Sequence, residues 1–335
     1  MRDSTAMGIR ERPLLSIVVP TLNRRPLLER TLTALVREMT GLEDAVELIV
    51  VNNASTDDTA AFLDAWRQSG HGEAHNFAER VVADDSFHRC VSLASGRYIN
   101  IFGDDDLPMP GFLRTLLALL RAHEPTGFVY MNRLIGDEAL LDIAEMAHRF
   151  NDTEVELLDI QQLASRYTHS LGCITSLAFH RDCWTRGAPM DLERFSGYRF
   201  LARLCMGAKG ASCVYSGLPL FIQRRGRQSW KAHWPRYWLV SMPGLLKALQ
   251  DAGVAGAAFD NWRSQDVSLG SVVGDCLVAK AYGYPLGDPF WRDARCFQPP
   301  PRAWAIRAMQ YLLPAAVARV VYFSLSRNER HAADQ

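Results

Sequence analysis

Residues 97–113 read RYINIFGDDDLPMPGFL. The run Tyr98-Ile99-Asn100-Ile101-Phe102 has the short, mostly apolar character of a buried strand. It stops at Gly103, and three consecutive carboxylates follow, Asp104, Asp105 and Asp106. Two prolines then introduce an apolar segment of helical spacing. Repulsion and desolvation both oppose so much like charge at the end of a buried strand. Two arrangements tolerate it: a solvated acidic turn, or a hard divalent cation that takes oxygen ligands and offsets the repulsion. An EF-hand loop is excluded, because the required Gly and final Glu are not at their positions.

The flanking sequence shifts the balance toward the cation. Upstream, 14–20 (LLSIVVP) and 46–52 (VELIVVN) read as buried strands and 79–83 (ERVVA) as a short third one. Between and after them lie helical patterns at 25–39, with Pro26 in the first turn, at 54–70, with Ser55 or Thr56 as cap, and at 86–95. Downstream, 110–123 is a helix and 127–132 a strand. This alternation predicts an α/β fold with a mostly parallel sheet flanked by helices. Ligands of such sheets sit beyond the carboxyl ends of the strands. Three polar strand ends therefore converge on one edge: residues 20–24 (PTLNR), 52–55 (NNAS) and 103–106 (GDDD).

Residues 133–170 are less regular and more acidic, as suits an excursion over that edge. A strand at 173–180, a helix at 197–210 and a strand pair at 211–225, turning at Ser216-Gly217, come next. From about residue 235 the pattern is mainly helical, broken by a Pro/Gly-rich stretch at 283–302. The predicted organisation is a domain at 14–235, divided into 14–132 and 133–235, and a helical region at 236–335.

Lys+Arg and Asp+Glu both number 37, so no global charge argues for nucleic acid. The 7 cysteines are scattered with no C-x-x-C pair, the pattern of reduced, mostly buried thiols. The first residues lack the apolar core of a signal peptide, and no apolar run reaches the roughly 18 residues of a membrane span. A cytoplasmic location is expected.

Together, LSIVVPTLNRRPLLERTLTAL, ELIVVNNASTDDT, CVSLASGRYINIFGDDD and PGFL resemble the nucleotide-binding half of family 2 glycosyltransferases of GT-A (Rossmann-like) fold. The likeness covers about residues 14 to 132 in order and extends more weakly to about 240. Within the family it is most similar to abequosyltransferase-type enzymes of lipopolysaccharide O-antigen assembly. The resemblance implies inverting transfer of a sugar from a nucleotide diphosphate sugar, with Mg²⁺ or Mn²⁺, to a saccharide acceptor carried on a polyprenyl diphosphate. A leaving diphosphate needs its growing charge stabilised, and the acceptor hydroxyl needs a base on the opposite face of the sugar.

The same resemblance suggests the site residues. Where the family has Asp-x-Asp-Asp, this chain has Gly103 and then three acids. In that register Asp105 is the metal ligand, Asp104 lies near ribose or phosphate, and Asp106 supports the metal shell; a literal D-x-D gives Asp106 the metal. Pro20, Thr21, Asn23 and Arg24 match positions lining base and ribose, or else form a polar loop before the first helix. Asn52 stands where the family commonly has an aspartate; an amide both donates and accepts, so uracil and cytosine both remain open. Ser86 and Arg89 match the base side of the site. The family's Glu-Asp ahead of the later helix is replaced by Ser196-Gly197, which leaves Asp191 or Glu193 as the base, with His180 or His169 as alternatives. Arg224, Arg225 and Trp230, in an Arg- and Trp-rich stretch at 224–238, could hold a diphosphate or stack on sugar.

Between 292 and 330 lie seven arginines against two acids, interleaved with apolar segments broken at Pro314 and Arg319. This suits a helical segment peripheral to an anionic membrane surface, or one docking on the main domain or on a second copy in a homo-oligomer. Two rival functions stay open: a sugar-phosphate nucleotidyltransferase, although the loop after the first strand lacks a Gly-rich triphosphate cradle, and a non-catalytic nucleotide-sugar-binding assembly subunit.

Overall fold

The computed structural model describes residues 12–148, 155–167, 170–187, 195–225, 233–264 and 269–325. The amino-terminal half alternates β1 (Leu15–Thr21), α1 (Arg25–Met39), β2 (Val46–Asn52), α2 (Thr59–Gln68), β3 (Glu73–Asn76), α3 (Ala83–Leu93) and β4 (Tyr98–Ile101). There follow β5 (Leu107–Pro108), α4 (Phe112–Ala122), β6 (Phe128–Gly136), β7 (Ile143–Met146), β8 (Val155–Asp159) and α5 (Ile160–Tyr167). A 3₁₀ turn at Ile174–Ser176 leads into β9 (Leu177–His180), then α6 (Arg181–Arg186), α7 (Arg199–Gly207) and the long β10 (Ser212–Arg224).

The sheet order is β3-β2-β1-β4-β9-β6-β10-β5, with β7 on β6 and β8 on β10. Strands β3, β2, β1 and β4 are parallel, joined by crossover helices. Beyond them the sheet is mixed, because β9 inserts antiparallel to both β4 and β6. One face packs Val18, Ile49, Val51, Ile99, Ile101 and Tyr130 against residues of α3, α5 and α7. The other packs Ile17, Val19, Val50, Tyr98, Phe102 and Met131 against α1 and α4. α4 alone buries Phe112, Leu113, Leu116, Leu117, Leu119 and Leu120, each contributing about 1.5–3 kcal/mol of apolar burial. Its amino end is capped from α1: Glu38 accepts from the Gly111 and Leu113 N–H groups at 3.0 and 3.2 Å.

Helical structure continues with α8 (Trp234–Arg236), a π-helical turn (Tyr237–Ser241), α9 (Met242–Asp251), α10 (Ala258–Ser264), α11 (Leu269–Ala281), α12 (Asp288–Arg295), α13 (Pro300–Leu312) and α14 (Ala315–Leu325). Residues of α9 and α10 complete the α7 side of the main core. Leu239, Val240, Val272, Cys276, Phe290 and Ile306 form a separate small core.

Three local expectations are corrected. The third strand is Glu73–Asn76, not 79–83; it is an edge strand held by its ladder to β2 rather than by burial. Ser55 and Thr56 do not cap α2, which starts at Thr59. Ser55 Oγ accepts from Asn23 N at 2.9 Å, and Thr56 N donates to Asn23 Oδ1 at 2.7 Å, so both tie the loop after β2 to the loop after β1. Residues 211–225 are one strand with a bulge, not a pair: β6 is nine residues long, and β10 follows it in parallel on both sides of Gly217.

Candidate active site

Strand register builds the site. Val18 lies opposite Ile101, so three residues further along Thr21 and Asp104 meet at the carboxyl edge. Thr21 Oγ1 donates to Asp104 Oδ2 at 2.8 Å, and Arg24 Nη1 donates to Asp104 Oδ1 at 3.0 Å and to Asp105 Oδ2 at 3.2 Å. From the far end of β10, Arg224 brings Nη2 and Nε to the same Asp105 oxygen at 3.1 and 3.3 Å. Asp106 turns inward: Oδ2 accepts from Thr175 Oγ1 at 2.6 Å and Oδ1 from Arg224 N at 3.2 Å. Thr31 Oγ1 lies 3.1 and 2.9 Å from the Asp104 and Asp106 carbonyl oxygens.

Electrostatics follow from this burial. Asp104 and Asp106 are each 5% exposed. Burial pushes the Asp104 carboxyl above its ordinary range against the pull of Arg24, and burial, then the charge of Asp105, pushes Asp106 up to about 7. For Arg24 burial works the other way, but Asp104 and Asp105 outweigh it and hold the guanidinium above its usual value. The repulsion within the triplet is thus offset by the protein's own guanidinium groups.

The nucleotide-side candidates gather beside this cluster. Thr21 and Asn52 are register partners, as are Asn52 and Asn76. Asn52 Nδ2 donates to Asn76 Oδ1 at 2.9 Å, and its Oδ1 accepts from Ser55 N at 3.0 Å. Asn53 pairs with the Val81 backbone in both directions, and Arg89 bonds Asn53 Oδ1 at 3.2 Å while lying over the Phe77 ring at 4.3 Å. Ser86 is buried, and among the described residues its Oγ has no hydrogen-bond partner. Pro20 lies half-buried at the end of β1, and Asn23 is in the left-handed region at φ 54.

Arg224 and Arg225 separate, as successive residues along a strand do. Arg224 enters the cluster, whereas Arg225 is exposed and pairs with Glu145. Asp191, Glu193, His169 and Trp230 lie outside the described residues. His180 pairs with Tyr98 at the opposite end of β4 from the acids, so it is not part of this site. At Gly197, next to Ser196, the backbone opposes any side chain. Gly197 has φ +84, and a Cβ there would lie 2.5 Å from Tyr237 Cε1. Sequence reasoning missed Thr175, Thr31 and Asp84, none of which stands in a motif of its own. A groove of about 720 Å³, lined in part by Phe195, Val240, Lys247 and Phe297, lies by α9 and contains none of the acids.

The donor set fits a cation held by one carboxylate. Among the described residues no group of three or more His, Cys, Asp or Glu forms a ready cage. Asp104 and Asp106 have both oxygens engaged, whereas the contacts to Asp105 fall on Oδ2 and leave Oδ1 as a donor oxygen. Mg²⁺ and Mn²⁺ commonly accept one or two carboxylates and take their remaining ligands from phosphate and water.

Comparison with known proteins bears on the family and the fold. The profile of Glycosyl transferase family 2 matches residues 16–182. A PGL/p-HBAD biosynthesis glycosyltransferase of Mycobacterium bovis is 31% identical over 127 residues, 35% of this chain and 46% of that protein. The abequosyltransferase of Salmonella typhimurium is 35% identical over 100 residues, 28% of either chain. The chain thus spans less than half the length of these curated relatives. Among solved structures, S. aureus TarS in complex with UDP-GlcNAc superposes with a TM-score of 0.55 at 12% identity, covering 93% of this chain and 91% of that one. A Pyrobaculum calidifontis mannosyltransferase in complex with GDP-Man and Mn²⁺ gives 0.55 at 16% identity, covering 97% and 89%. These likenesses establish the GT-A fold, and residues 16–182 form a glycosyl transferase family 2 domain.

Proposed function

We propose that the chain transfers one sugar, with inversion, from a nucleotide diphosphate sugar to a saccharide acceptor. The observation that carries this reading is the Arg24–Asp104–Asp105–Arg224 cluster at the carboxyl edge of the parallel strands. The acceptor hydroxyl attacks the anomeric carbon from the face opposite the diphosphate. The bond to the β-phosphate oxygen breaks and its electron pair stays with that oxygen, releasing a nucleoside diphosphate. The hydroxyl proton passes to Asp191 or Glu193, which precede Phe195 by four and two residues. Arg24 and Arg224 face the leaving group with positive charge, and Asp106 stiffens the turn from beneath.

Asp105 would hold Mg²⁺ or Mn²⁺, with Asp104 beside the ribose or phosphate. When bound, the cation supplies electrostatic stabilisation of the departing diphosphate. Thr21, Asn23, Asn52, Ser86 and Arg89 are assigned to base and ribose. The likeness to an abequosyltransferase and to a PGL/p-HBAD biosynthesis glycosyltransferase supports a lipid-linked acceptor in surface-polysaccharide synthesis, hence a site at the inner membrane face. Among the described residues no helix is long and apolar enough to cross a membrane. α13 and α14 nevertheless expose Trp304, Tyr311, Leu312 and Val320 near Arg307, a composition suited to an anionic lipid surface.

Asp105→Ala and Asp106→Ala are expected to abolish metal-dependent nucleotide release from donor while leaving the fold intact; full activity in both overturns the reading. One observation favours a second reading. Gly197 is fixed sterically where the resemblance would put an acid, so a protein that binds nucleoside diphosphate but releases none from any donor is a non-catalytic binding subunit.

A further inference from the structure

We infer that Asp84 is a positioning residue of the transfer site, fastening the amino end of α7 to the nucleotide-side helix α3; the inference rests on the glycosyl-transfer reading above. Asp84 is the second residue of α3 and is 9% exposed. Its Oδ2 accepts from Gly197 N at 2.8 Å and its Oδ1 from Arg199 N at 3.1 Å. Arg199 Nε lies 3.2 Å from Oδ2, and Arg199 Nη2 donates to Asp85 Oδ1 at 3.0 Å. The first N–H groups of a helix have no partner within it. The residue before α7, Tyr198, makes no side-chain cap, and the first turn contains no acid. Asp84 supplies that cap from more than a hundred residues away.

Its setting gives the cap a functional consequence. Gly197 is gripped on one side by Asp84 and on the other by the Tyr237 ring, so the chain path into α7 is fixed from two elements. The same turns of α3 carry Ser86 and Arg89, and Arg89 is bonded to Asn53 at the end of β2. One short helix therefore touches the nucleotide side through Arg89 and the start of α7 through Asp84. The resemblance would put an acidic pair here, where this chain has Ser196-Gly197. With no acid of its own at that point, the segment depends on a carboxylate lent by α3 for its placement. Burial raises the Asp84 carboxyl against its backbone and Arg199 partners, so removing those partners would leave a costly buried charge.

The test uses the full chain with Asp84→Ala and Asp84→Asn, well below their melting temperatures. Nucleoside diphosphate affinity comes from calorimetry, the rate at saturating donor from released nucleotide, and α7 protection from amide hydrogen exchange. For Asp84→Ala the rate is expected to fall on the order of 10–100-fold, since small misplacements have that effect. Affinity stays within about threefold, because the nucleotide contacts lie elsewhere on α3, and protection is lost at the first turn of α7. Asp84→Asn keeps one acceptor oxygen and is expected to lose about a third to a half as much on a logarithmic scale. It carries the test alone should the alanine variant fail to fold. An unchanged rate per folded molecule, or a loss of affinity parallel to the loss of rate, overturns the inference. A wild-type protein with intact binding and no turnover overturns instead the glycosyl-transfer reading, and this role with it.

Discussion

Gly197→Ala probes a position where the structure leaves no room for a side chain. The residue has φ +84, and an added Cβ would meet Tyr237 Cε1 at 2.5 Å and Cδ1 at 2.7 Å. Holding an alanine in the left-handed region costs about 1–2 kcal/mol. Relieving the overlap with a packed ring costs about 1–3 kcal/mol more. The lower unfolded-state entropy of alanine returns about 0.4–1 kcal/mol. The net destabilisation is about 1–5 kcal/mol, centred near 3 kcal/mol. At about 2.1 cal/mol/K per residue, a chain of 335 residues has an unfolding entropy near 0.7 kcal/mol/K, so the central value lowers Tm by about 4 °C. Scanning calorimetry of Gly197→Ala, Tyr237→Ala and the double variant separates the two causes. In the Tyr237→Ala background only the backbone cost remains, about 1 kcal/mol, and the coupling energy is the steric share. A single variant within about 1 °C of wild type, or an equal cost in both backgrounds, refutes the reasoning.

Arg224→Met removes the guanidinium from Asp105 and leaves three clustered acids with less compensation; urea unfolding should show a loss of about 3 kcal/mol, while Arg225→Met, at an exposed pair, should lose under about 1 kcal/mol. Because Asp106 is pushed up to about 7, the native state holds its proton where the unfolded chain has released it. Its contribution therefore lowers stability as pH rises from about 4 to 7, by up to about 1.4 kcal/mol per unit, and urea midpoints in chelator should show Asp106→Asn without that slope. Trp304→Ser with Leu312→Ser should reduce sedimentation with vesicles containing phosphatidylglycerol; equal sedimentation by both proteins removes α13 from the membrane surface.

The parallel half was legible in the sequence because burial and periodicity coincide there. Val46–Asn52 and Arg25–Met39 stand where their patterns put them. Glu73–Asn76 was not, since its residues are polar and its pairing to β2 is a matter of backbone hydrogen bonds. The Ser216-Gly217 turn signal was overridden by a partner strand long enough to continue past it. The acids themselves were conspicuous, but their partners were not. Thr175 reaches Asp106 across 69 residues, Arg224 reaches Asp105 across 119, and Asp84 reaches Gly197 across 113. Such pairings follow from tertiary placement and leave no local spacing to read.

The claim on which the rest depends is that Asp105 and its arginines form a cation-assisted diphosphate site. Calorimetric titration of UDP, CDP, GDP and dTDP into wild type and Asp105→Asn, with Mn²⁺ and with chelator, tests it directly. At least one nucleotide should bind wild type about tenfold or more tightly with Mn²⁺, and Asp105→Asn should lose that increment while keeping its fold. Equal affinity with and without Mn²⁺, or an undiminished increment in Asp105→Asn, contradicts the account.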